Sequence, residues 1–115
     1  MNRRTLLLHG GLCGLVGNLL MMASVPMAPP WPAFGAPVGE VVAWFRDNHG
    51  GFVLQAWLAA LGVVPLVGFC GALGALLQER GRPVTAALLQ GAMLAFVCAF
   101  AINWTPWVAI ARTAS

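Results

Sequence analysis

Three stretches of this chain, Thr5 to Val25, Phe52 to Leu77 and Val84 to Val108, contain no aspartate, glutamate, lysine or arginine. About 20 residues of helix rise about 30 Å, the thickness of a bilayer's hydrocarbon core. A central arginine or aspartate would cost about 2.5–3.5 kcal/mol on insertion, so each of these runs can enter lipid unaided. The chain is 60% hydrophobic and only 8% charged, against about 25% charged in an ordinary soluble domain. In water such a chain would expose far too much apolar surface. The expected fold is therefore all-α: three transmembrane helices at about 5–25, 52–77 and 84–108, forming one integral membrane domain over residues 1–115.

The connections differ in kind. Met27 to Pro37 contains Pro29, Pro30, Pro32 and Pro37, which cannot continue a helix and predict an extended surface crossing. From Val38 to Asn48, Val38, Val41, Val42 and Phe45 recur at i, i+3, i+4 and i+7. That spacing predicts a short amphipathic helix at about 38–48, lying at the membrane surface, with Pro37 in its first turn and Gly50-Gly51 as its stop. Gln78-Glu79-Arg80-Gly81-Arg82-Pro83 is short enough to force spans two and three into an antiparallel hairpin.

All six basic residues are arginines. Arg3, Arg4, Arg80 and Arg82 fall on one side of a three-span map, and Arg46 and Arg112 on the other. The excess predicts a cytoplasmic N-terminus and an extracytoplasmic C-terminus, with Trp31, Trp44, Trp57, Trp104 and Trp107 as an aromatic belt on the far side. Arg3-Arg4-Thr5-Leu6-Leu7-Leu8 also resembles a twin-arginine export signal, with a cleavage region between Ala23 and Ala28. The apolar run is long for a removable signal, so a retained span is expected. The net charge of +3 forms no patch or stripe and does not predict a nucleic-acid partner.

Chemistry is sparse. The carboxylates are Glu40, Asp47 and Glu79, all outside the spans, so neither a proton relay nor a nucleophile-base-acid set can be assembled. His9 and Cys13 are spaced i, i+4 on span one, but zinc needs at least three protein ligands and no other histidine lies in a span. Cys13, Cys70 and Cys98 sit in apolar runs and read as small hydrophobes. No cofactor, metal or enzymatic activity is expected. Polar residues within the spans are His9, Asn18, Gln55, Gln90 and Asn103, each expected to face another helix or a cavity. Pro65, near the middle of span two, frees the carbonyl of Leu61 and predicts a kink. Small residues recur every four positions at Gly10 and Gly14, at Gly68 and Ala72, and at Gly91, Ala95 and Ala99. Such stripes let helix backbones approach closely in lipid.

Glu40 to Gly51, followed by Phe52 to Leu77, resembles an uncharacterised bacterial family of multi-pass membrane proteins, domains of unknown function. Members place a short amphipathic helix, ending in an Asn- or His-containing turn, before a long second span. The resemblance covers roughly the first two spans and the hairpin and implies a bacterial inner-membrane protein, with no activity attached. The residues themselves predict a structural or accessory protein whose partners are the lipid bilayer and a second copy or a membrane partner protein. The alternatives are a small oligomeric transport component around Gln55, Gln90 and Asn103, and a membrane redox subunit centred on His9.

Overall fold

The computed structural model describes residues 2–114, which form four helices and no strand. They are α1 (Arg3–Ser24), prolonged by a 3-10 turn at Val25–Met27, α2 (Val38–Asp47), α3 (His49–Glu79) and α4 (Pro83–Ala114). Arg3–Met27, His49–Glu79 and Pro83–Thr113 are each long and apolar enough to cross a membrane. The chain is thus an all-α protein of three membrane-spanning helices and one short helix. Its two ends are distinct: an arginine end with Arg3, Arg4, Arg80 and Arg82, and an aromatic end built on α2.

Helix limits follow from local chemistry. The Asn2 side chain caps α1 by accepting a hydrogen bond from the Arg4 amide at 3.2 Å, satisfying a donor that the first turn leaves unpaired. Between α3 and α4, Gly81 takes a left-handed φ of +70°. Its amide donates to the Gln78 carbonyl at 3.0 Å, and the Arg82 amide donates to Leu77 at 2.9 Å. Glycine adopts this conformation without the Cβ penalty, and Pro83 then starts α4 where its missing N–H costs nothing.

α3 is the central helix, with α1 packed along one side and α4 along another. Gly10, Gly14 and Gly17 are buried on α1, spaced i, i+4, i+7 so that one face of the helix is bare backbone. The α1 and α3 backbones meet directly at Gly17 and Gly62. A Cβ on Gly17 would lie 2.9 Å from the Gly62 carbonyl oxygen, and one on Gly62 would lie 3.0 Å from the Gly17 carbonyl oxygen. In lipid, where burial gives no hydrophobic drive between helices, this close contact is what dispersion needs.

The structure departs from the sequence pattern at three places. Gly50-Gly51 does not stop α2; Asn48 does, its amide and its side-chain Nδ2 both donating to the Trp44 carbonyl at 2.9 Å. Its own carbonyl then accepts from Phe52, so α3 starts at once and runs through both glycines. The buried face of α2 is Val41, Trp44 and Phe45, while Val38 and Val42 stay exposed. The face is turned toward Trp44, whose indole N–H donates to the Pro30 carbonyl at 3.0 Å. Finally, α4 passes through Pro106 and continues six residues beyond Val108, because Trp107, Val108 and Ala111 pack against α2.

Candidate functional site

The aromatic end holds the largest fully buried side chains among the described residues. Phe45 and Phe52 are its two large, fully buried side chains, with Ala111 buried beside them. Phe45 meets Phe52 edge-on with centroids 5.1 Å apart and stacks on Trp107 at 5.7 Å. Phe52 stacks on Trp104 at 5.7 Å. Trp31, from the proline-rich crossing, closes the cluster edge-on against Trp107 at 5.0 Å. Aromatic pairs in these geometries add about 0.5–1.5 kcal/mol beyond the area they bury. Four of the five tryptophans therefore join Phe45 and Phe52 in a cap over the bundle. Trp57 alone stands well out from it, 59% exposed.

His49 ties the cap to α4. Its Nδ1 lies 2.8 Å from the Ala111 carbonyl, and since a carbonyl only accepts, Nδ1 carries the proton. Ala111 is among the last four carbonyls of α4, which lack an intrahelical donor. Replacing His49 by alanine should cost about 1 kcal/mol. Amide hydrogen exchange over residues 108–113 should then quicken about fivefold, while exchange in α1 stays unchanged.

The small-residue stripes have different fates. Gly10 faces Ala72 and Gly14 faces the Phe69 ring across the α1–α3 seam, with Gly68 at its edge, where an added Cβ would lie 3.4 Å from Cys13 Sγ. Gly91, Ala95 and Ala99 are all exposed, and a Cβ on Gly91 would meet nothing within 4 Å. They lie on the side of α4 opposite Val97, Ala101 and Trp104, the residues that face α3. Only 6% of the most apolar stretch of α4 is buried within the chain, against 17% for α1 and for α3. The part of that seam outside the expected stripes runs through Gly17 and Gly62. The i, i+4, i+7 run of Gly10, Gly14 and Gly17 was the signal that could have found it.

The polar side chains within the spans do not converge. His9 is exposed and its Nδ1 lies 2.8 Å from the Thr5 carbonyl. Asn18 donates to the Gly14 carbonyl at 2.8 Å. Both satisfy themselves on their own helix. Gln55 Oε1 is buried without a hydrogen-bond partner. Gln90 lies over buried Gly74, with its Nε2 3.0 Å from where a Cβ would stand. Gln55 and Gly74 are 19 residues apart on α3, or about 28 Å along its axis. Asn103 is exposed on α4, continuing the line of Gly91, Ala95 and Ala99. No group of three His, Cys, Asp or Glu side chains placed to hold a metal occurs among the described residues.

One further concavity matters. Between α3 and α4, toward the aromatic end, runs an open groove of about 420 Å³. Small side chains, Ala56, Ala60 and Ala101, leave the space, and Trp57, Phe100 and Trp104 line it. Arg112 stands at one end and Val63 and Val97 at the other. No family model matches the sequence, and neither a curated protein nor a solved structure matches it.

Proposed function

We propose that this chain is a non-catalytic accessory protein of the bacterial inner membrane. It would work by holding another transmembrane helix, from a second copy or a membrane partner, against the outward face of α4. The arginine end faces the cytoplasm in this reading and the aromatic cap faces outward, supported by the arginine asymmetry between the two ends. The observation that carries the proposal is the contrast between two stripes of the same kind. Gly10 and Gly14 are consumed inside the chain, whereas Gly91, Ala95 and Ala99 are left bare on the least covered helix. Asn103 continues that line and brings a carboxamide, which gains most in lipid by bonding across to another helix.

Energy transfer between labelled copies in lipid vesicles tests the self-association form directly. Gly91→Ile and Ala95→Ile should each weaken association about tenfold, near 1.4 kcal/mol. Asn103→Leu should weaken it about threefold, since such interhelical hydrogen bonds average about 0.6 kcal/mol. Gly11→Ile is the control, because a Cβ there also meets nothing within 4 Å but lies on α1. If copies do not associate, the same variants should release a partner co-purified from native membranes. Indifference of both readouts to Gly91 and Ala95 would remove the basis of the reading.

A further inference from the structure

The geometry points to a second site: the α3–α4 groove seats one acyl chain of an anionic glycerophospholipid, with its phosphate held at Arg112. Arg112 sits at the depth of lipid headgroups. α1 has 22 residues, about 33 Å of helix, which matches the hydrocarbon core. Past its end, the Met27 carbonyl abuts Gly51 of α3, so α3 leaves the hydrocarbon close to Gly51. The His49–Ala111 hydrogen bond sets Ala111 level with His49, two residues further out. Arg112 therefore lies at headgroup depth. Val53, Ala60 and Val63 descend from it into the hydrocarbon, and α4 matches them with Val108, Ala101 and Val97.

The groove is lined mostly by apolar side chains, and its one hydroxyl, on Thr105, already donates to the Ala101 carbonyl at 2.6 Å. Arg112 is thus the charged group of the site. It has an interaction of its own in the chain, and a guanidinium carries five donors in a fork that suits phosphate oxygens bidentately. An apolar slot ending in a cation at headgroup level is complementary to one class of molecule in the surrounding bilayer, a lipid whose head is anionic. A volume of about 420 Å³ falls within the range of about 300–1,000 Å³ typical of ligand sites. Trp57 and Trp104 beside the slot are the amphipathic rings that favour this depth.

The test uses phospholipids brominated on the acyl chain, which quench tryptophans they touch. The full chain is reconstituted in vesicles carrying increasing mole fractions of brominated phosphatidylglycerol or of brominated phosphatidylcholine, and Trp57 and Trp104 report from the groove. Half-quenching should need about fivefold less of the anionic lipid, since one arginine near the surface is worth about 1 kcal/mol toward anionic lipid. Arg112→Gln should erase that preference and Arg112→Lys should keep it. Ala60→Phe should fill the slot and lower quenching by both lipids. Equal quenching by the two lipids in the unaltered chain, or a preference that survives Arg112→Gln, overturns the assignment. So does strong quenching by both lipids in Ala60→Phe.

Discussion

Truncating Phe52 to alanine should detach the aromatic cap, at a cost of about 3–5 kcal/mol. Phe52 has 0% exposure and stands where three parts of the chain meet. It touches Phe45 of α2 at 5.1 Å, Trp31 of the proline-rich crossing at 5.7 Å and Trp104 of α4 at 5.7 Å. No neighbour can collapse into the vacated space without giving up a ring contact of its own, which places the cost at the upper end for a core truncation. The loss is local, because α1 and α3 meet along a separate seam of glycines. Limited proteolysis of reconstituted protein should therefore show new cuts within residues 28–37, and tryptophan emission should shift to the red. Phe52→Leu, which keeps most of the volume, should lose less than half as much protection. Unchanged protease resistance in the alanine variant would mean that the rings are not what anchors α2.

Gly17→Leu should open the α1–α3 seam with a loss of about 3 kcal/mol, the upper part of the usual range for overpacking. The first atom added, Cβ, would already fall 2.7 Å from Leu66 Cγ and 2.9 Å from the Gly62 carbonyl oxygen. Leu66 can change rotamer, but the carbonyl belongs to the α3 backbone and cannot turn aside. The helices must separate, and contacts such as Gly10 against Ala72 and Gly14 against Phe69 loosen with them. Gly11→Leu has the same chemistry at a position facing open space and should be nearly neutral. Unfolding in mixed detergent micelles, followed by helical ellipticity, would separate the two variants. Equal midpoints would show that close backbone approach contributes little here.

How much of this was legible beforehand follows from the range of each interaction. The uncharged runs announced the three spans because insertion depends on length and local apolarity, and both are properties of a single segment. The hairpin at Arg80–Arg82 was equally local, a glycine and a proline at the positions that turn chemistry demands. The face that each span presents was much less legible. α3 is apolar all round, so no periodicity distinguishes the side that takes α1 from the side that takes α4. Gly91, Ala95 and Ala99 looked no different from Gly10 and Gly14, yet only the latter pair is covered within the chain. The groove needed Ala60 and Ala101 from different helices at one depth, which neither helix announces alone.

The aromatic end shows the same division most clearly. Residue order alone determined that this polypeptide lives in lipid, how many times it crosses and that a short amphipathic helix precedes the second crossing. All of that reflects the transfer of single segments from water, summed along the chain. Tertiary structure alone decided that Trp31, Phe45, Phe52 and Trp107, spread over most of the chain, become one cluster. It also decided that α4 extends past Val108 to reach that cluster, and that His49 meets Ala111. Those outcomes depend on which surfaces fit once the helices are side by side. Shape complementarity between distant residues leaves no trace in the pattern of either one.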